Sequence, residues 1–221
     1  MLIAEAEWIG SILNDLPNDA FPLANIGCQT AEFRGRTQPW IDEYVFAPLA
    51  AQQKRVVHVD VRDEPGVEVV ADLMSAEGMA TLRTLGARTF LCSNLLEHVE
   101  DPVAVLDRLI EAVPPGGYLI LTGPHQFPYH ADPIDTMFRP SSQEMGALIG
   151  DRLAIEEATD LQCRRLGYYF SRGRFGRLRL VARLVAFFYR PAHWRERLHW
   201  VARRSTQYCL FLRRPLLSGG A

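Results

Sequence analysis

The chain has 221 residues, of which 48% are hydrophobic and 23% charged, enough to bury the core of one domain and short for two. Glu5 and Glu7 stand where a secretory leader would carry basic residues, and no apolar run reaches about 18 residues, so neither a leader nor a membrane span is expected and the cytoplasm is the expected compartment. The net charge of −2 is unevenly spread, because residues 1–163 hold 10 basic and 25 acidic side chains while residues 164–221 hold 14 arginines against Glu196 alone.

Leu2, Ala6, Ile9, Leu13 and Leu16 fall at steps of three and four, which predicts an amphipathic helix stopped by Pro17. Phe21–Gly27 is a short apolar run that breaks into a polar loop, as a buried parallel strand would. Similar runs at Val56–Val61, Val67–Ala71, Thr89–Ser93 and Tyr118–Thr122 are separated by segments of helical composition, Ser75–Leu85 and Pro102–Val113. That alternation predicts a parallel sheet covered on both faces. Pro114-Pro115-Gly116-Gly117 supplies a stop and a turn, and Ser141-Ser142-Gln143-Glu144 has the spacing of a capping box for a helix through Ile149. Strand candidates follow at Leu153–Glu157 and Gln207–Leu212. No repeat or linker marks a boundary, so residues 1–221 read as a single domain. Cys28, Cys92, Cys163 and Cys209 stand far apart, with no C-x-x-C pair and no histidine at ligand spacing. They read as reduced core residues, and no metal site is expected.

In a doubly wound sheet a ligand binds beyond the carboxyl ends of the strands, and a nucleotide-like ligand needs a tight loop followed by a carboxylate for its ribose. Asn25-Ile26-Gly27-Cys28-Gln29-Thr30-Ala31 is that loop and Asp60, ending the second strand, is that carboxylate. Asp72, at the end of the third strand, can accept a hydrogen bond from an adenine amino group.

With these, Leu91-Cys92-Ser93-Asn94-Leu95-Leu96-Glu97-His98-Val99-Glu100-Asp101-Pro102 and Val113–Leu121 give an order of motifs that resembles the class I S-adenosylmethionine-dependent methyltransferases, particularly their small-molecule branch. The resemblance runs from about Phe21 to Ile155. It implies an α/β, Rossmann-like three-layer sandwich whose mostly parallel sheet has seven strands, the last antiparallel, with residues 164–206 as a basic helical insertion before that strand. It implies S-adenosylmethionine as cofactor, with Gly27, Cys28 and Gln29 along the methionine portion, Asp60 and Val61 at the ribose, Asp72 and Leu73 at the adenine, and Asn94 and Leu95 as the floor. The loop departs from the family's Asp/Glu-x-Gly-x-Gly-x-Gly at Asn25, Gln29 and Ala31, so the Gln29 side chain either turns away from the cofactor or fills part of its space.

Gly123–Pro140 follows the fifth strand, where such enzymes place acceptor-binding residues. Its histidines, aspartates and prolines make a stiff loop presenting polar groups. His130 is the expected base, oriented by Asp132 or Asp135, and His125, Asp135 and Arg139 are expected at the acceptor, although Arg139 has an equal claim as a salt-bridge partner of Asp135. His98 is read as packing under the cofactor or capping a helix, and His58 as a core residue. In residues 171–204, arginines 172, 179, 183 and 190 share a helical stripe opposite Leu178, Val181, Val185 and Phe188, which suits a cover over the sheet, a partner, or peripheral contact with an anionic membrane. Nucleic acid is not expected, because no stacking motif accompanies the charge. The expected function is methylation of a hydroxyl on a small molecule or glycan, the alternatives being a non-catalytic binding protein with an eroded loop or a peripheral assembly protein. Oligomeric state is not legible.

Overall fold

The computed structural model describes residues 1–130, 133–163 and 205–216. Strands β1 (Leu23–Ile26), β2 (Val56–Asp60), β3 (Val69–Val70), β4 (Thr89–Ser93), β5 (Tyr118–Gln126), β6 (Ala154–Cys163) and β7 (Ser205–Arg213) form one sheet in the order β3-β2-β1-β4-β5-β7-β6. The first five pair in parallel, and β7 runs antiparallel to both β5 and β6, so it alone is reversed. This is the expected Rossmann-like sheet. The strand order reverses direction at β1, which is where a ligand crevice opens.

Strand periodicity divides the core. In β4, Phe90 and Cys92 face one side while Leu91 faces the other, and in β5 Leu119 and Leu121 are opposed to Ile120 in the same way. One side packs on α3 (Ala76–Thr84), α4 (Pro102–Ala112) and α5 (Ser142–Ile149), through Met79, Leu82, Leu106, Leu109, Met145 and Ile149. The other packs on α1 (Ile3–Asp15), on two π-helical turns (Phe33–Thr37 and Asp42–Phe46) and on α2 (Ala47–Ala51), through Ile9, Leu13, Trp40, Val45 and Leu49.

Local chemistry sets the helix ends. The Ser75 and Asp101 side chains accept from the Gly78 and Ala104 N–H groups, capping α3 and α4. Ser141 and Glu144 form the expected capping box of α5, with the Ser141 N–H 2.7 Å from Glu144 Oε2. All four cysteines are free and buried. Two strands run longer than their apolar runs predict: β5 continues through Gly123-Pro124-His125-Gln126 with a register shift, and β6 reaches Cys163. Among the described residues no helix is long and apolar enough to cross a membrane. The basic segment 171–204, and all of the predicted insertion except Ser205 and Thr206 at the start of β7, lie outside the described residues.

Candidate active site

The loop after β1 is held by its backbone and by two arginines. Gly27 has φ +68°, and a Cβ there would lie 3.0 Å from Leu95 Cδ1, so both conformation and space require glycine. Gln29 takes the same left-handed region at φ +56°. Its N–H donates to Asp60 Oδ2 (3.1 Å), and its side-chain oxygen accepts from Arg62 (2.9 Å), so the side chain leans toward Arg62. Beneath the loop, buried Arg34 donates to the carbonyls of Cys28 (2.8 Å), Gln29 (2.5 Å) and Gly66 (2.9 Å). Three main-chain dipoles thus solvate a guanidinium that makes no salt bridge among the described residues. Ala31, where the family pattern has glycine, fits because it faces Gly66, whose missing Cβ would fall 2.5 Å from that of Ala31.

Asn25 is buried and its amide nitrogen lies 3.1 Å from His58 Nδ1, so the imidazole accepts there. Burial foremost, with the Arg34 charge, pushes His58 down to about 4. The ring is half-buried and meets Phe46, a core residue, edge to face at 4.9 Å.

Two cavities meet at this loop. The larger, about 660 Å³, is lined by Gly27, Cys28 and Gln29 on one side and by Asn94, Leu95, His98, Phe127 and His130 on the other. The smaller, about 300 Å³, is an apolar slot between Ile26, Val59, Ala71, Leu73 and Val105, with Asp72 at its rim. Gly27, Asp60, Val61, Leu95 and Val99 line both. Asp60 therefore stands at the junction, where its Oδ1 also accepts from the Arg62 N–H (3.2 Å) and lies 3.6 Å from Arg62 Nε. Asp72 accepts from the Met74 N–H (2.9 Å), which turns the chain under the slot.

The loop after β5 folds back over the Leu96-Glu97-His98 turn. The Thr136 N–H and hydroxyl donate to the Glu97 carbonyl (2.9 and 3.2 Å), and His98 Nδ1 donates to the Ile134 carbonyl at 2.6 Å. Asp135, with no exposed side-chain surface, is the hub: it accepts from the His130 N–H (2.8 Å), the Met137 N–H (2.9 Å) and Arg139 (2.6 Å). Burial acts to raise its carboxyl, but these donors prevail and hold it below the ordinary value. His130 Nδ1 lies 3.3 Å from both Asp135 Oδ2 and the Pro128 carbonyl, and burial foremost holds the imidazole below its ordinary value. His130, the expected base, lines the large cavity; of the residues expected at the acceptor, Asp135 and Arg139 are occupied with each other and His125 is turned to the Arg139 carbonyl (3.1 Å). Arg139 thus takes the salt-bridge role weighed for it. Asp132 lies outside the described residues.

Three buried groups were not singled out in the sequence. Arg34 is one. Glu5, on α1, accepts through Oε1 from Ser93 Oγ (3.0 Å), Asn94 Nδ2 (2.6 Å) and Thr122 Oγ1 (2.6 Å), fixing the floor of the large cavity. Glu97 is fully buried, its two oxygens accept no hydrogen bond among the described residues, and burial above all pushes it up to about 7.

No protein-family model matches the sequence, and comparison with curated proteins finds no match. Solved structures do resemble it. A SAM-dependent methyltransferase of Methanosarcina mazei is 12% identical, with a TM-score of 0.52 over 94% of this chain and 98% of that one. One from Archaeoglobus fulgidus is 13% identical, with a TM-score of 0.51 over 95% and 94%. Coclaurine N-methyltransferase, bound to N-methylheliamine and SAH, is 18% identical, with a TM-score of 0.55 over 96% of this chain and 70% of that one. At these identities the shared property is the fold, that of the class I SAM-dependent methyltransferases.

Proposed function

We propose that this chain is a methyltransferase that takes its methyl group from S-adenosylmethionine and transfers it, in the cytoplasm, to a hydroxyl of a small molecule or glycan. One observation carries the reading: Asp60 stands between an apolar slot of about 300 Å³ and a larger, less apolar cavity of about 660 Å³, so a nucleoside and a reacting centre find separate, adjoining places. The residues fit the cofactor. Asp72 and Leu73 would hold the adenine, Asp60 and Val61 the ribose, Gly27, Cys28 and Gln29 the methionine portion, and Asn94 and Leu95 the floor. When bound, the cofactor supplies an electrophilic methyl on sulfur for an in-line displacement.

The chain's own contribution is orientation and removal of a proton. In His130 the Nδ1 hydrogen is directed at the Pro128 carbonyl and Asp135, which leaves Nε2 with the lone pair. A hydroxyl presented from the cavity would give its proton to that nitrogen, and the lowered basicity of the ring keeps it neutral and ready near pH 7. Asp132 would add a second orienting carboxylate. A small-molecule acceptor is supported by the N-methylheliamine in the similar coclaurine N-methyltransferase. A glycan is suggested by the polar loop alone.

A second reading, a non-catalytic binder with the same cleft, is favoured by one contact set: Asp60 is already met by the Gln29 N–H and by Arg62, which a ribose must displace. Calorimetric titration with S-adenosylmethionine and S-adenosylhomocysteine separates the two. Micromolar binding abolished in Asp60→Ala is expected; no binding by a folded protein would favour the binder. Once an acceptor is in hand, His130→Ala should lose at least about a hundredfold in turnover with cofactor affinity intact, and near-normal turnover would remove His130 from the role.

A further inference from the structure

Glu97 and His98 sit on the turn after β4, and His130 on the loop after β5, 32 residues later in the chain. The fold brings one ring nitrogen of each histidine and a Glu97 oxygen within 4.8 Å of one another. His98 Nε2 is 3.7 Å from Glu97 Oε1, and the two imidazoles meet edge to face at 5.1 Å. We propose that Glu97, His98 and His130 form a binding site for a divalent transition-metal ion of the zinc class, opening on the large cavity.

Three features carry this beyond proximity. First, the Nδ1 of each histidine is already directed at an acceptor, the Ile134 carbonyl for His98 and the Pro128 carbonyl with Asp135 for His130. Each ring is thereby left with its lone pair on Nε2, and such outer partners are what orient metal-ligating imidazoles. Second, both Glu97 oxygens are buried without a hydrogen-bond donor among the described residues, a costly arrangement that a cation at the cluster would relieve. Third, the donor set has a preference. Two imidazole nitrogens and one carboxylate suit zinc and its transition-metal neighbours, whereas magnesium and calcium require oxygen ligands.

Ligands around tetrahedral zinc stand roughly 3.4 Å apart for bonds near 2.1 Å. The Glu97–His98 separation is close to that, so the main adjustment is a movement of the His130 ring by about 1 Å. That ring is 38% exposed and lines the large cavity, as His98 does, so a fourth position can face the cavity and admit water or an acceptor oxygen. The ion would take the His130 lone pair, so in terms of the proposed function it acts as an inhibitor of proton removal. That consequence rests on the methyltransferase reading; the binding itself does not.

The test uses the full chain, stripped with a chelator and titrated with Co²⁺ alone and then with Zn²⁺. One equivalent of Co²⁺ should give visible ligand-field bands that Zn²⁺ abolishes. His98→Ala and, independently, the half-exposed His130→Ala should each weaken Zn²⁺ by tenfold or more, since loss of even an outer-shell partner costs about that much. The isosteric Glu97→Gln should weaken it as well, and Cys28→Ser, which removes the thiol lining the same cavity, should not. Absence of ligand-field bands, or Zn²⁺ affinity unchanged in both folded histidine variants, overturns the site. Thiolate-to-cobalt absorption that disappears in Cys28→Ser does so too. S-adenosylmethionine titrated into the same metal-free protein reads the cofactor site separately, so either assignment can fail without the other.

Discussion

Gly27 and Gln29 adopt the left-handed region two residues apart, and only one of them must be glycine. At Gly27 a side chain meets both a positive φ and Leu95; at Gln29 the strain is met by contacts to Asp60 and Arg62. Gly27→Ala is therefore expected to cost about 1–3 kcal/mol. Gln29→Gly should stay within about 1 kcal/mol of the parent, because relief of the left-handed strain offsets the lost Arg62 contact. Urea midpoints of the two variants check this, and equal losses would refute it. The loop reads as eroded in the sequence because its compensation is remote. Arg34 and Gly66, which restrain and accommodate it, carry no local pattern connecting them to residues 27–31. The places of Asp60 at the end of β2 and Asp72 just beyond β3 were legible because each ends an apolar run.

At the scale of elements, α1 does more than cover the sheet. Its apolar stripe was plain from the spacing, yet Glu5 on the same buried face ties the end of β4 to the middle of β5 through Ser93, Asn94 and Thr122. Glu5→Leu should destabilise by about 1–3 kcal/mol, since the buried Thr122 hydroxyl and two half-buried donors lose their acceptor, while Glu5→Gln should retain part of the network and lose less. Thermal melting of the two variants measures the difference, and similar melting temperatures would show that the network contributes little. The capping box of α5 and the proline stop before Pro114-Pro115 were readable because capping is local. The two π-helical turns between residues 33 and 46 were not, because their residues lack a clean 3.6 period and the second of them is set by packing against α1. The Glu97–His98–His130 cluster escaped for a related reason: no spacing within one element joins residues 98 and 130, and the juxtaposition comes from the β5 loop folding back through Thr136 and Ile134.

For the whole molecule, acid sensitivity follows from His58. Its folded value near 4 lies below the ordinary 6.5, so the unfolded chain takes up the proton first as pH falls, and stability is lost between about pH 6.5 and pH 4. At pH 5 the loss from this residue is on the order of 2 kcal/mol. Denaturant midpoints of the parent and of His58→Gln at pH 7 and pH 5 should converge as pH falls, and parallel shifts would dispose of the idea. The strand order itself was legible only through the motif sequence, since alternation of strands and helices predicts a parallel sheet without its permutation. That permutation also imposes a timetable. β7 lies between β5 and β6, yet it is the last of the three to be made. While the chain is being synthesised, β5 and β6 wait as open hydrogen-bonding edges until residues 205–213 have left the ribosome. The sheet is thus completed by insertion rather than by addition at its rim, and the last edges to close are the two that β7 joins.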